Sequence, residues 1–293
     1  MANLKILKER ISSVASTQKI TSAMKMVAAS KLRRAQEQAE AARPFSERMS
    51  QVMASVAGGM PKSDDMPKLL AGTGKEDTYL VVLATSERGL CGGFNANLVR
   101  AARRKIQDLK GEGKKVSLLC IGKKGRDMLG RDFSSLIIDT IDMSAIRRLA
   151  FSDVTPISDR IMSMFDADDF DVCLMFYSRF KSVMEQIVTE HQLIPVAVPD
   201  DAAPGLEDGG SYDAEPGEME ILADLLPRNL AIQVFHGLLE NAASEQGARM
   251  TAMDSATRNA SDMIDGLTLT YNRARQAAIT TELIEIIAGA EAV

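Results

Sequence analysis

The sequence has few of the residues that build aromatic cores, disulfide frameworks and metal sites. Tryptophan is absent, aromatic residues make up 4% of the chain, and there are only two histidines and three cysteines. Cys91, Cys120 and Cys173 are odd in number and show no CxxC spacing, so neither a disulfide framework nor a zinc site is suggested, and a reducing compartment fits best. Methionine is frequent instead, with 17 residues. This mix favours long helices with slim contacts over a thick aromatic core.

Long hydrophobic runs are missing as well. No apolar run approaches the roughly 20 residues that a membrane-spanning helix needs, and the N-terminus reads as a charged amphipathic helix without a signal-peptide core. With 45% hydrophobic and 26% charged residues, the chain nevertheless has an ordinary composition for a folded protein. We expect a soluble chain, or one that reaches a membrane only through a partner.

Charge of the two signs is unevenly distributed. The first 43 residues carry nine Lys or Arg against three Glu, whereas the segment from Asp200 to Asp224 is strongly acidic. An acidic partner suits the first stretch, and the second would repel nucleic acid and anionic lipid.

Both ends of the chain show a helical stripe. Small and apolar residues alternate three and four apart from the N-terminus, and the pattern resumes beyond Pro44 until Gly58-Gly59 ends it. The N-terminal stripe is Leu4, Leu7, Ile11, Val14, Gln18, Thr21, Lys25, Ala28, Leu32, Ala35, Ala39 and Ala42. Its large side chains give way to alanine, so a partner helix could approach closely.

The C-terminal stripe holds its register for about 60 residues, or ~90 Å of helix. Gly237, Gly247 and Gly266 weaken this helix without ending it. The stripe includes Met253, Ala256, Ala260, Met263, Leu267, Thr270, Ala274, Ala277, Thr281, Ile284 and Ala288. Two long terminal helices around a compact middle predict an antiparallel coiled coil made by the two ends of one chain.

The middle of the chain alternates short apolar runs with helical stretches, as in a βαβ sheet. Strands are predicted at Tyr79–Ala84, Val116–Ile121 and Val172–Tyr177, helices at Asn95–Leu109 and Asp153–Phe165, a further strand at Gln186–Glu190, and Leu136–Ile141 is ambiguous. The predicted fold class is therefore α/β, a coiled coil plus a Rossmann-like domain. The predicted division is an N-terminal helix at 1–57, a Rossmann-like domain at 78–198, an acidic linker at 199–217 and a C-terminal helix at 218–293.

Candidate ligand sites are weak. Gly89–Asn95 follows a strand and opens a helix, but its spacing is neither GxGxxG nor GxxxxGK[ST], so a structural turn is favoured over a phosphate site. The Gly122–Gly125 turn is interpreted in the same way. His191 and His236 have no metal-ligand spacing. The cluster Asp166, Asp168, Asp169 and Asp171 lacks the pattern of a calcium loop and is interpreted as a solvated turn.

Particular residues, more than patterns, identify a family. Thr17–Lys31 resembles the N-terminal signature of ATP synthase gamma subunits, Ser86–Asn95 resembles the central motif of that family, and Glu240–Met250 its late-helix motif. The segment Ile279–Glu282 with Glu285 and Gly289–Ala292 is similar to its C-terminal signature. The resemblance covers essentially the whole chain.

The resemblance implies a non-catalytic central-stalk rotor that couples rotation of a c-subunit ring to the catalytic sites of beta subunits. It implies alpha, beta and epsilon subunits and the c ring as partners, one copy per complex, and no cofactor, metal, nucleic acid or direct membrane insertion. Matched residue by residue, rotor-stator contact and coupling are expected at Met24, Arg249, Arg275, Gln276, Thr280 and Glu282.

At the opposite end, Tyr212 and Glu215 match the foot that faces the c ring, where Ala214 departs from the aromatic residue of some relatives. No cysteine lies in 199–217, so the thiol regulation of chloroplast relatives is not expected. The final residues Ile286–Ala290, together with Ala292 and Val293, form an apolar, small-residue tip. The absence of a presequence before Asn3 favours a bacterial source, and hence a location on the cytoplasmic face of the inner membrane. The alternative is a processed mitochondrial chain.

Two other functions are open on the residues alone. The chain could be a Rossmann-type nucleotide-binding enzyme with helical extensions, which should bind a nucleotide when isolated. It could also be a coiled-coil nucleic-acid-binding protein, which should show salt-dependent affinity through the helix Lys5–Arg34.

Overall fold

The computed structural model describes residues 4–58, 66–146, 148–196 and 218–291. A short 3-10 turn, Ser134–Leu136, joins the helix Lys123–Phe133 to the strand Ile137–Ile141. The elements in chain order are α1 Leu4–Gly58, α2 Lys68–Ala71, β1 Thr78–Ala84, α3 Phe94–Gly111, β2 Lys115–Ile121, α4 Lys123–Phe133, β3 Ile137–Ile141, α5 Phe151–Asp166, β4 Val172–Phe180, β5 Gln186–Ile194 and α6 Glu218–Glu291.

The two terminal helices are longer than any other element. α1 continues through Pro44, and α6 continues through Gly237, Gly247 and Gly266, as the stripes predict. α6 also includes Pro227, which lies before the predicted stripe. Every member of the N-terminal stripe from Leu4 to Ala42 is buried or partly buried. The chain forms two compact units, the paired-helix unit (Met1–Ala29 with Arg249–Val293) and the sheet unit (Ser30–Ala248).

The sheet unit is built on five strands in the order β3-β2-β1-β4-β5. The first four are parallel, and β5 pairs antiparallel with β4. β1 lies in the middle and is buried on both sides, because Leu80, Val82 and Ala84 face one core while Val81 and Leu83 face the other. The predicted strands are confirmed, and the ambiguous run before Ile141 is a strand.

Helices cover both faces of this sheet. α3 and α4 pack on one core, and α5 with the N-terminal part of α6 packs on the other. Gly237 has a packing role, because a Cβ there would lie 3.0 Å from Met175 Cε on β4. The sequence pattern does not predict α2, and it indicates α4 only as the helix that follows the Gly122–Gly125 turn, without bounds. α4 is hard to recognise because it is short and polar and contains Gly125 and Gly130.

The paired-helix unit joins the two ends of the chain in antiparallel fashion. Thr21 contacts Thr257, and Lys25, one turn later in α1, contacts Asp254, which lies earlier in α6. The residue numbers therefore run in opposite directions along the two helices. The predicted antiparallel pairing of the chain ends is confirmed.

The predicted C-terminal stripe is wrong at alternate positions beyond Ala260. Met263, Thr270 and Ala277 are exposed, and the residues one place later, Ile264, Tyr271 and Ala278, are partly buried instead. A strict three-then-four count ignores that a straight helix drifts relative to a 3.5-residue repeat. It also passes over Tyr271, which offers more apolar surface than Thr270.

Across the described ranges, no helix is both long and apolar enough to cross a membrane. The predicted linker and foot at 199–217, including Tyr212, Ala214 and Glu215, lie outside the described residues.

Candidate functional site

The C-terminal end of α6 carries a cluster of exposed apolar side chains. If the pairing of Thr21 with Thr257 is continued, Leu4 lies opposite residue 274, so the last turns of α6 face none of the described residues of α1. Large apolar side chains are exposed there, namely Ile279, Leu283, Ile284, Ile286 and Ile287. A cluster of large exposed apolar side chains is typical of an interaction site.

Four predicted site residues lie on this surface. Arg275, Gln276, Thr280 and Glu282 are all exposed. The Thr280 hydroxyl donates to the Gln276 carbonyl at 2.9 Å, and Thr281 donates to Ala277 at 3.0 Å. Their hydroxyl hydrogens are used within the helix, whereas the Arg275 guanidinium and the Glu282 carboxylate extend into solvent. An arginine fork in this position can make paired hydrogen bonds to a carboxylate of another chain.

The other two predicted residues lie where the helices pair. Met24 is partly buried on α1, directly before Lys25, and Arg249 is partly buried on α6. The six residues thus fall into two groups, one on the paired section and one on the exposed end of α6. No described contact brings the two groups together.

A polar layer crosses the pair beside Met24. Thr21 and Thr257 share a hydrogen bond of 2.8 Å between their hydroxyls, and Lys25 Nζ donates to Asp254 Oδ1 at 2.5 Å. Arg258 donates to the other oxygen of the same carboxylate. These hydrogen bonds from Lys25 and then Arg258 lower the pKa of Asp254. Thr21 and Lys25 lie on the predicted N-terminal stripe, but periodicity alone does not identify Thr257 and Asp254 as their partners.

The loop between β1 and α3 is closed by its own side chains. Asn95 Oδ1 accepts from the Ser86 backbone amide at 3.0 Å, and its Nδ2 donates to the Ser86 hydroxyl at 2.8 Å. Glu87 accepts from the amide of Lys123 at 3.3 Å and from that of Met143 at 2.7 Å. A carboxylate of this chain therefore occupies the N-terminus of α4, the position that favours a phosphate.

The late-helix motif bonds the part of β4 that extends beyond its pairing with β1. β1 pairs with β4 only as far as Phe176, but β4 continues to Phe180. Asn241 Oδ1 accepts from the Ser178 amide at 3.0 Å, and Ser244 donates to the Ser178 carbonyl at 2.8 Å. Glu240 accepts from the Phe180 amide at 2.9 Å. In doubly wound sheets, ligands bind in a crevice outside the carboxyl ends of the strands, where the strand order reverses. Here side chains of α6 bond the backbone of β4 at its carboxyl end instead.

Glu240 is the most buried charged group of this network. Its side chain is 1% exposed, and it also accepts from Arg43 at 2.9 Å, while His236 Nε2 lies 3.8 Å away. Burial, and then the nearby Glu240 carboxylate, raise the pKa of Tyr177. One carboxylate thus ties α1, β4 and α6 together. His191 contacts Gln233 at 3.1 Å, which agrees with a structural role.

Asp171 corrects the interpretation of the acidic cluster. Asp166, Asp168 and Asp169 are exposed, but Asp171 is buried and accepts from Thr73, from the amide and hydroxyl of Thr78 and from the Asp77 amide. Burial alone would raise the pKa of Asp171, but the donors outweigh it and lower the pKa to about 2. It joins the starts of β1 and β4. Within the described residues, no group of three or more His, Cys, Asp or Glu could hold a metal ion.

The sequence matches the family described as ATP synthase over residues 3–293. It is 58% identical over 292 residues to the ATP synthase gamma chain of Sphingopyxis alaskensis and 57% identical over 293 residues to that of Parvibaculum lavamentivorans, with the whole of each chain covered.

Solved structures give a consistent likeness. A chain from the central stalk and c ring of the Tetrahymena thermophila mitochondrial ATP synthase superposes with a TM-score of 0.60 at 25% identity, covering 81% of this chain and 99% of that one. A chain from the Euglena gracilis mitochondrial enzyme superposes with a TM-score of 0.66 at 21% identity, covering 99% and 94% respectively. The second likeness concerns the fold alone.

Proposed function

The chain belongs to the family of ATP synthase gamma chains, and from that premise we propose that it is the central-stalk rotor of a proton-translocating F-type ATP synthase. The observation that carries this function is the identity of 54–58% to gamma chains along the whole length of this protein. The confirmed pairing of the two chain ends supplies the shaft that the function requires.

The partners in this proposal are the alpha and beta subunits, the epsilon subunit and the c ring, with one copy of this chain per complex. The Tetrahymena relative comes from a central stalk with its c ring, and the Euglena relative from an assembly with F1 and a c ring. Direct membrane insertion forms no part of the proposal. The complex holds the chain on the cytoplasmic face of a bacterial inner membrane.

Coupling arises from differential contact. A shaft shifts the conformation of a beta subunit only if it contacts the alternative conformations unequally. Met24, Arg249, Arg275, Gln276, Thr280 and Glu282 are proposed to make these contacts. Charge-assisted bonds from Arg275 or to Glu282 can form in one rotary position and break in another. The exposed apolar end of α6 offers no charge between Ile286 and Ala290, so it can turn in an apolar collar without locking.

A catalytic role for the chain itself is not proposed. Glu87 accepts from the backbone amide at the N-terminus of α4. Glu240, Asn241 and Ser244 bond the backbone of β4 at its carboxyl end. A nucleotide would have to displace these bonds. The enzyme alternative therefore has no structural observation in its favour, and no cofactor is assigned.

Two further parts stay predictions. The division at 1–57, 78–198, 199–217 and 218–293 is proposed as the functional division of the chain, with 199–217 as the acidic linker and foot. Tyr212 and Glu215 are proposed to face the c ring.

The assignment is tested by co-expression of this chain with alpha and beta subunits of a closely related enzyme. We expect one complex with a single copy of this chain and an ATPase activity that none of the subunits has alone. Failure to assemble, combined with nucleotide binding by the isolated chain, would support the enzyme alternative instead.

The coupling residues are tested in the same complex with Met24→Lys. We expect less proton pumping per ATP hydrolysed, because a new ammonium beside Lys25 alters the contact with the beta subunits. Met184→Lys is the matched control, since it adds the same charge at an 80% exposed methionine of the sheet unit, outside the paired-helix unit. Equal pumping in wild type and the Met24 variant would remove Met24 from the coupling set.

A further inference from the structure

The sequence of α6 allows two ways of packing against α1. Met253, Ala260, Leu267 and Ala274 are partly or fully buried and belong to both. The remaining contacts with α1 come from a second row of α6 residues. This row can lie three residues later, at Ala256, Met263, Thr270 and Ala277, or four residues later, at Thr257, Ile264, Tyr271 and Ala278. We name these the plus-three flank and the plus-four flank. In the structure, the plus-four flank is partly buried and the plus-three flank is exposed beyond Ala256.

The two packings differ by a rotation of α6 about its own axis. Each residue turns the helix by about 100°, so the midpoint between the shared row and either flank moves by about 50° from one packing to the other. Spread over the residues from Met253 to Ala278, this rotation needs only about 2° per residue, which a supercoil absorbs easily. Neither packing is therefore forbidden by the continuity of the helix.

The polar layer is the directional contact that distinguishes them. Thr257 lies on the plus-four flank and its hydroxyl is 2.8 Å from that of Thr21. The Thr257 hydroxyl also has the Met253 carbonyl at 2.8 Å, and the Thr21 hydroxyl has the Gln18 carbonyl at 3.1 Å. Each hydroxyl has one hydrogen, so one threonine donates across the pair while the other donates to its own helix.

The ion pair acts on the same side of α6. Asp254 precedes Thr257 by three residues, and its carboxylate is held between Lys25 of the opposite helix and Arg258 of its own. Rotating α6 towards the plus-three flank would move Thr257 and Asp254 away from α1 together. Tyr271 adds apolar burial to the same packing, so the bonds and the apolar contacts favour one arrangement. Polar groups inside a helix pair commonly select an arrangement at a cost in stability.

We propose that Thr21, Lys25, Asp254 and Thr257 set the rotational phase of α6 against α1, and thereby the direction in which the exposed residues Arg275, Gln276, Thr280 and Glu282 face. These four are positioning residues. The phase itself is a property of the chain, and only its effect on coupling rests on the proposed function.

The test measures the distance between spin labels on two exposed positions, Glu9→Cys in α1 and Asn272→Cys in α6. The three native cysteines are buried, so labelling is confined to the new ones. The variant Thr21→Val with Thr257→Val removes the hydroxyl bond, and a second variant adds Lys25→Met and Asp254→Leu. We expect the distance to shift or broaden by about 5 Å, as a 50° rotation of a side chain at the helix surface requires.

The control removes two hydroxyls that each bond only within their own helix and lie on neither flank. Thr17 donates to Ser13 in α1 and Thr268 donates to Ile264 in α6, and both threonines are exposed. Thr17→Val with Thr268→Val should leave the distance unchanged. Arg33→Met with Glu37→Leu is the matching control for the ion pair, because Arg33 and Glu37 lie on one helix.

The measurement is made on the full chain and again in the complex with alpha and beta subunits. A shifted distance with an unchanged melting temperature supports the proposal, and in the complex we then expect at least a twofold loss of protons pumped per ATP. An unchanged distance in both variants overturns it. Lower melting temperature without a shifted distance assigns the layer to stability alone and also overturns it. If the wild-type complex fails to form, the proposed function fails while the distances on the full chain still decide the phase.

Discussion

Arg43 and Glu240 form an ion pair of 2.9 Å between the first and last helices of the chain, although 197 positions separate them in the sequence. The Arg43 side chain is 45% exposed and that of Glu240 only 1%. The same carboxylate also accepts a hydrogen bond from the Phe180 amide of β4. It therefore pairs with a cation on α1 and satisfies a backbone donor of the sheet. Because burying a charge costs desolvation free energy, the loss of any one partner of this carboxylate should destabilise the fold.

Replacing Arg43 by Met should therefore destabilise the sheet unit. The buried Glu240 carboxylate would lose its guanidinium, and breaking such a pair costs about 3 kcal/mol. Thermal and urea unfolding of the full chain measure the loss. Arg33→Met removes an exposed pair with Glu37 and should cost less than about 0.5 kcal/mol. Equal losses for the two variants would contradict the account.

Asp171 predicts a pH-dependent contribution to stability. Its pKa in the folded protein is about 2, below the ordinary value of 3.8, so its contribution is complete above pH 4 and disappears as the pH falls through 2. Asp171→Asn should cost about 1 to 2 kcal/mol at pH 7 and progressively less in acid. Urea unfolding at several pH values gives the difference. Asp168→Asn, which changes an exposed carboxylate, should show almost no cost at any pH. A cost for Asp171→Asn that does not change with pH would count against the assigned bonds.

Gly122 cannot be replaced without moving the sheet. A Cβ at this position would lie 2.3 Å from the Thr85 carbonyl oxygen, and the residue has a φ of +91°. Gly122→Ala should cost more than about 2 kcal/mol, because both the clash and the backbone conformation oppose it. Gly130→Ala is the control in α4, since a Cβ there meets nothing within 4 Å and alanine favours the helix. Unfolding midpoints should move in opposite directions for the two variants.

The packing of α6 predicts different costs at two adjacent residues. Ile264 is partly buried against α1, whereas Met263 is 56% exposed. Ile264→Ala should lower the stability of the paired-helix unit by about 1 kcal/mol, and Met263→Ala should change it little. The unfolding of this unit is measured as the loss of the helical circular dichroism signal on heating. A larger loss at Met263 would place the contact on the other flank.

Much of the fold could be predicted because its signals are local. The stripe from Leu4 to Ala42 specifies α1, and Tyr79–Ala84 shows a buried central strand within six residues. The extent of α4 is not visible in the sequence because Gly125 and Gly130 interrupt a short polar helix that is stabilised by packing on the sheet. Periodicity gives the spacing of the apolar residues along α6 but not the direction in which α1 lies. It therefore does not show that Ile264, and not Met263, is the partly buried residue.

The candidate site was less accessible to sequence analysis. Glu240, Asn241 and Ser244 belong to a family motif, but their role depends on β4 extending past the end of β1, a feature that involves residues 60 or more positions away. The Lys25 partner of Asp254 is not visible in the sequence for the same reason, because 229 positions separate the two residues. Contacts of this kind become apparent only when the elements are placed in space.

The central claim is that this chain turns inside a catalytic ring, and the most direct test is to observe rotation. In a complex with immobilised alpha and beta subunits, a probe is attached through Met184→Cys, a position that is 80% exposed in the turn between β4 and β5. The account predicts stepwise rotation in one direction when ATP is added, and none with a non-hydrolysable analogue. Sustained ATP hydrolysis by the same complex with a stationary or randomly fluctuating probe would contradict it.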